Sequence, residues 1–147
     1  MSSFAIAEPS SSHLMLSTRL ISELAQARST LRTTTERSDS AVIVHAGGEL
    51  DASNEATWRH LLGEAAATAR RPGPLVVDTS GLDFMACCAY ATLAEEAKRC
   101  RDRGIEIRLV SSQPIVKRIV SACGLSGLLP VDPSVDAALG AFVPADW

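Results

Sequence analysis

Four short apolar runs, each separated from the next by a stretch with helical spacing, constrain this sequence more than any other feature. They are AVIVHAG from Ala41, PLVVDTSGLDFM from Pro74, IEIRLVS from Ile105 and LLPV from Leu128. A strand, a helix and a second strand in succession build a parallel pair with a right-handed crossover. Leu75, Val76 and Val77 are consecutive apolar residues, which is the mark of a strand covered on both faces. IEIRLVS alternates, with an apolar end at Leu109-Val110.

The segments between these runs carry helix punctuation. The first helix starts near Asp51, Ser53 or Asn54, any of which can cap it. It would bury Ala56, Leu61, Leu62 and Ala65 and end at RRPGP. The second runs from about Cys87 to Arg103, with Tyr90, Leu93, Ala94, Ala97 and Cys100 as its apolar stripe. Glu95 is spaced to pair with Arg99, and Gly104 is a left-handed stop. The third opens at Pro114, closes at Gly124, and turns Ile115, Ile119, Val120 and Cys123 to one face. A final short helix spans Ser134 to Ala141, capped by Asp132 or Ser134.

Upstream, STLRTTTER reads as a strand that pairs through the SDS turn with AVIVHAG as a hairpin; Gly47-Gly48 then breaks the pattern. The expected fold is α/β: a mixed sheet, with an N-terminal hairpin followed by parallel strands, packed by about four helices. The domain is expected over 28–143, after an N-terminal extension over 1–27 and before a tail over 144–147. The first 15 residues read as a Ser-rich mobile arm. A short helix is expected from Ser17, with Leu20, Ile21 and Leu24 in register. It either lies on its own domain or joins two copies as a homodimer.

Composition narrows the function. The 147 residues fit one domain, 46% hydrophobic and 21% charged, with a net charge of −3. That balance argues against a nucleic-acid partner, which needs a concentrated basic surface. The run KRCRDRG at 98–104 reads as a solvated helix end. No apolar run reaches the ~20 residues of a membrane helix, and MSSFAIAEPSSSH lacks the basic start of a signal peptide. The expected compartment is the cytoplasm.

Chemistry-bearing residues are sparse. Cys87, Cys88, Cys100 and Cys123 include no CxxC pair, and His13, His45 and His60 are scattered. Neither a metal site nor a cofactor is expected. A cysteine nucleophile needs a nearby base, and the sequence places neither His45 nor His60 beside Cys87. A binding protein is therefore expected rather than an enzyme. The Cys87 turn lies where strand C-terminal ends meet helix starts, the rim on which open α/β sheets keep their sites.

Three segments resemble the STAS family, the anti-sigma factor antagonists of bacteria. GELDASN at 48–54 is similar to the family's GELD motif. VVDTSGLDFMACCAYATL is similar to its strand–turn–helix, which commonly ends in FMDSSGLG, and PIVKRIVSACGLSGLLPV to its third helix and last strand. The resemblance covers roughly 30–142. It implies a partner, an anti-sigma factor of the kinase-like ATPase type, whose capture frees a sigma factor for transcription. It also implies a serine phosphoacceptor at the helix start.

Residue by residue, that serine falls on Cys87 and the next serine on Cys88. The preceding Asp falls on Ala86, and the following Gly and Leu fall on Ala89 and Tyr90. Asp51, Asp78, Ser80, Phe84 and Met85 are retained. The implied partner-binding residues are Asp51, Ser53, Phe84, Met85, Cys87, Cys88 and Tyr90. Cysteine is no substrate for serine phosphorylation, so that switch is expected to be absent at position 87.

The thiols leave alternatives open. Cys87 at a helix N-terminus favours a thiolate, and it is also simply a serine-sized side chain. Cys88 is expected to point inward. Helical rise puts Cys100 roughly 20 Å below Cys87 and Cys123 about 12 Å down the neighbouring helix. Cys100 with Cys123 is then the pair best matched in depth, and Cys87 with Cys123 is harder to close. A thiol-based redox module, or a STAS domain for a small ligand or another signalling protein, are the alternative functions. Trp58, beside Arg59, is either a partner hot spot or half-buried against the sheet.

Overall fold

The computed structural model describes residues 12–13 and 31–141. Six strands form one mixed sheet in sequence order: β1 (Ser12–His13), β2 (Arg32–Ser38), β3 (Ala41–Leu50), β4 (Leu75–Met85), β5 (Ile107–Val110) and β6 (Val131–Asp132). The first two pairings are antiparallel and the last three parallel. A 3-10 turn (Ala52–Asn54) leads into α1 (Glu55–Thr68). The other helices are α2 (Cys87–Asp102), α3 (Pro114–Ala122) and α4 (Val135–Ala141). Ser12–His13, expected within a mobile arm, instead add a short edge strand to β2. The helix expected from Ser17 lies outside the described residues.

The layering follows from handedness. The parallel strands advance in one direction across the sheet, so three right-handed crossovers deliver α1, α2 and α3 to the same face. There Val42, Val44, Leu75, Val77, Ile107 and Leu109 meet Trp58, Leu61, Leu62, Leu93, Ala97 and Val120 in one core. On the opposite face Ile43, Val76 and Val110 are covered by Ala138 of α4. The Leu75–Val77 run is thus buried on both sides, as its continuous apolarity requires. Gly104 and Gly124 end α2 and α3 with φ of 80° and 73°, a conformation that glycine alone adopts cheaply.

Several boundaries differ from the sequence reading. Strand β3 runs through Gly47-Gly48 to Leu50, because Gly48 takes φ 92° and the β3–β4 register shifts around it. A β-bulge thereby replaces the expected break. In LLPV only Val131 joins the sheet; Leu129 turns into the core instead. Ala56 faces solvent, and Trp58 takes the buried position on that turn. Glu95 does not pair with Arg99: it accepts from Arg59 of α1, while Arg99 pairs with Glu96. Ser134 caps α4 by accepting from the Ala137 amide, which leaves Asp132 to hold Arg108.

Candidate functional site

The end of β3 and the start of α2 meet on one rim because β3 and β4 run parallel, with Leu50 opposite Met85. The Ala86 amide donates to the Leu50 carbonyl oxygen at 2.8 Å. That single bond sets the loop beginning at Asp51 beside the helix beginning at Cys87. The residues singled out from the sequence therefore converge on one surface, although more than 30 residues of chain separate its two halves.

Each half is held from within. Asp51 caps the turn that opens α1: its Oδ1 accepts from the Ser53 amide at 2.9 Å and the Ser53 hydroxyl at 2.6 Å. Asn54 reciprocates, accepting from the Asp51 amide and donating to the Glu49 carbonyl oxygen. The Ser53 hydroxyl and amide hold the Asp51 carboxyl below the usual carboxylate range. Asp51 is thus an ionised cap as well as a surface charge. The Trp58 indole N–H donates to the Ala89 carbonyl oxygen at 3.2 Å, tying α1 to the first turn of α2. Thr92 Oγ1 bridges the same two helices, donating to Glu55 and lying 3.1 Å from the Cys88 carbonyl oxygen. Trp58 is fully buried, so it is a strut beneath the rim and no surface hot spot.

Exposure sorts the remaining candidates. Phe84 is 53% exposed, Cys87 is exposed and Met85 half-buried. Cys88, expected to point inward, is partly exposed. Tyr90 is only 3% exposed; it belongs to the α2 core stripe and offers the rim no broad apolar contact. Burial raises its hydroxyl pKa, and the charges of Cys87 and Cys123 raise it further.

Cys100 and Cys123 do not match in depth. Cys100 is fully buried, with its thiol pushed up to about 11 by burial and the Glu96 charge. Cys123 ends α3 and is exposed. All four thiols are free. The basic run after Lys98 is spent on structure: Arg101 and Arg103 donate to the Gly127 and Ala66 carbonyl oxygens. Among the described residues no cluster of metal-ligating side chains occurs, and no helix is long and apolar enough to cross a membrane.

Sequence reasoning missed a cavity of about 210 Å³ beside the rim, between the ends of β4 and β5 and the first turns of α2 and α3. Phe84 and Ile115 stand at it. The available signal was Ile115, an apolar residue next to the N1 proline of a helix, one turn from Ile119.

The STAS domain family model matches residues 32–138, from the start of β2 into α4. The chain belongs to the STAS domain family. It is 60% identical over 133 residues to a Mycobacterium tuberculosis protein given as a candidate anti-anti-sigma factor, with 90% of each chain covered. It is 55% identical over 111 residues to the anti-sigma-F factor antagonist RsfA of the same species, covering 76% of this chain and 87% of that one. An anti-sigma factor antagonist from Mycobacterium paratuberculosis superposes with a TM-score of 0.68 at 25% identity, covering 78% of this chain and 96% of that structure. These STAS relatives are named for regulatory binding, and the fold expected from the sequence, an N-terminal hairpin followed by parallel strands, is the one found.

Proposed function

We propose that this STAS chain is an anti-sigma factor antagonist: it binds an anti-sigma factor and so frees a sigma factor for transcription. The observation that carries this reading is the 55% identity to an anti-sigma-F factor antagonist across 111 residues that include the whole rim. The docking surface comprises Asp51, Ser53, Phe84, Met85, Cys87 and Cys88, with Tyr90 beneath. The partner is of the kinase-like ATPase type, met in the cytoplasm, and the chain does its work by binding rather than catalysis. With Cys87 and Ala86 at the positions of the family's phosphoacceptor and its acidic neighbour, regulation at this helix start is not by serine phosphorylation.

Calorimetric titration of the purified chain against purified anti-sigma factors, the Mycobacterium tuberculosis anti-sigma-F factor among them, tests the proposal. Saturable binding at micromolar or tighter Kd that displaces the sigma factor supports it. Heat-silent mixtures with every candidate, and no displaced sigma factor, would refute it.

A second reading has one observation in its favour. Cys87 and Cys123 are both exposed, and the charge of each bears on the Tyr90 hydroxyl. A redox module would use these two rather than the buried Cys100. Mass mapping after oxidised glutathione treatment distinguishes the readings: a Cys87–Cys123 bridge favours redox control, and thiols that stay separate remove it.

A further inference from the structure

The cavity beside Phe84 is lined by apolar side chains from two walls. Leu82, Phe84 and Met85 come from the β4 side, and Ile115, Val116 and Ile119 from α3. Phe84 at 53% exposure and Ile115 at 48% are the exposed large hydrophobic residues of the described chain. Leaving both in water costs free energy that a partner recovers on docking.

Two of the polar side chains at the cavity are already engaged. Thr79 Oγ1 donates to the Val110 carbonyl oxygen at 2.7 Å, and Ser111 Oγ accepts from the Gln113 amide at 3.1 Å. Asp83 is the one lining residue with a formal charge. It is exposed and has no ion-pair partner among the described residues. Glu49, opposite Phe84 in the β3–β4 register, adds a second exposed carboxylate nearby. Of the two exposed basic residues of α3, Lys117 lies about 150° and Arg118 about 105° around the helix from the cavity-facing side, at ~100° per residue, so both point away from the cavity.

Size selects the occupant. Pockets for small-molecule ligands run to roughly 300–1,000 Å³. An apolar cavity of ~150 Å³ accepts a benzene ring. At about 210 Å³ this one fits a single large side chain.

We infer that the docking surface extends past the Cys87 helix start into the β4–α3 cleft, where it receives one aromatic or large aliphatic side chain of the anti-sigma factor, flanked by a basic residue that pairs with Asp83. This inference rests on the proposed function. It goes beyond it by assigning Ile115 and Asp83, which are not among the partner-binding residues that the resemblance implies, and by stating what the partner must present.

The test measures the affinity of the full chain for the purified Mycobacterium tuberculosis anti-sigma-F factor. The variants are Ile115→Glu, Asp83→Asn and Asp83→Lys, with Cys87→Glu as the reference for the rim. Ile115 and Asp83 are exposed, so melting temperatures should stay close to that of the parent chain. Ile115→Glu is expected to weaken binding on the order of tenfold to a hundredfold, as for a central apolar anchor. Asp83→Lys should weaken it more than Asp83→Asn, and the parent's affinity should fall with salt while that of Asp83→Lys does not.

Parent-like affinity in Ile115→Glu and Asp83→Lys, with Cys87→Glu weakened, overturns the cleft and leaves the proposed function standing. No binding by the parent chain to this factor or to any other candidate anti-sigma factor overturns both. A parent dimer in light scattering that Ile115→Glu dissociates would assign the cleft to a second copy and overturn the inference as well.

Discussion

The His45 ring donates from Nδ1 to Asp78 Oδ2 at 2.8 Å, across the parallel pairing of β3 and β4. Its Nε2 meets Glu36 Oε2 of β2 at the same distance, so one ring spans three strands on the sheet face that α4 leaves open. Two carboxylate partners require both ring nitrogens to carry protons, which is the imidazolium form. Burial opposes that charge, but the hydrogen bonds to Glu36 and Asp78 outweigh it and raise the His45 pKa. Burial likewise opposes the Asp78 charge, and bonds from Ser80 and His45 overcome it and lower the Asp78 pKa.

The consequence is a stability window with two edges. A raised histidine contributes fully below its unfolded value of about 6.5, and that contribution is lost as pH rises through the folded value. A lowered aspartate contributes above its unfolded value of about 3.9 and loses that as pH falls through the folded value. Stability from this cluster should therefore peak between roughly pH 4 and 6.5. Thermal melts of the native chain and of His45→Gln across pH 5 to 9 check it. The native advantage should shrink as pH rises above neutrality, and parallel curves would sink the linkage.

Two glycines should respond to alanine with opposite signs. Gly63 lies inside α1, and a Cβ there meets nothing within 4 Å. Gly63→Ala should stabilise the chain by about 0.5–1 kcal/mol, through helix propensity alone. At Gly81 a Cβ would lie 3.0 Å from the Ala46 carbonyl oxygen and 3.3 Å from the Gly47 Cα. Those are backbone atoms of the neighbouring strand at the bulge, and they cannot move without parting β3 from β4. Gly81→Ala should cost about 1–3 kcal/mol. Urea melts of both variants decide the pair, and equal midpoints would contradict the packing on which the rim rests.

How far the sequence could be read follows from what each signal encodes. Apolar runs report burial on both faces, so Leu75–Val77 located the central strand. Glycine after an amphipathic stretch reports a left-handed stop, so Gly104 and Gly124 located two helix ends. Patterning carries no information on which amphipathic residue faces a partner. Trp58 and Tyr90 both have a polar tip, and both turned inward because α1 and α2 pack on each other at the rim. Nor does a glycine pair tell a break from a bulge; only the β3–β4 register shift does. The cleft at Ile115 stayed hidden because its walls are distant in sequence and each looks like ordinary core.

Thiol chemistry should separate the cysteines sharply. With the Cys100 thiol pushed up to about 11 by burial and Glu96, its thiolate fraction at pH 8 is on the order of one in a thousand. Its sulfur is also shielded from reagent. In native titration with an aromatic disulfide reagent, Cys87 and Cys123 should react quickly and the half-buried Cys88 more slowly. Cys100 should react only after denaturation. Mass mapping assigns each adduct, and early labelling of Cys100 would mean that α2 opens from the sheet far more readily than its packing implies.

Substitution at Cys87 tests the rim most directly. Serine matches cysteine in size and leaves the surface neutral, whereas glutamate brings a negative charge, as a phosphate would. Cys87 is exposed beside the half-buried Met85, so glutamate there costs little in the free chain and is felt when a partner desolvates it. Cys87→Ser should bind an anti-sigma factor within a few-fold of the native chain. Cys87→Glu should bind at least about tenfold more weakly, the level of a disrupted interface centre. Titration calorimetry on the two variants, with matched melting temperatures, measures the difference. Equal affinities would place the interface elsewhere on the molecule. A strong loss in Cys87→Ser would instead mean that the partner contact depends on the thiol itself.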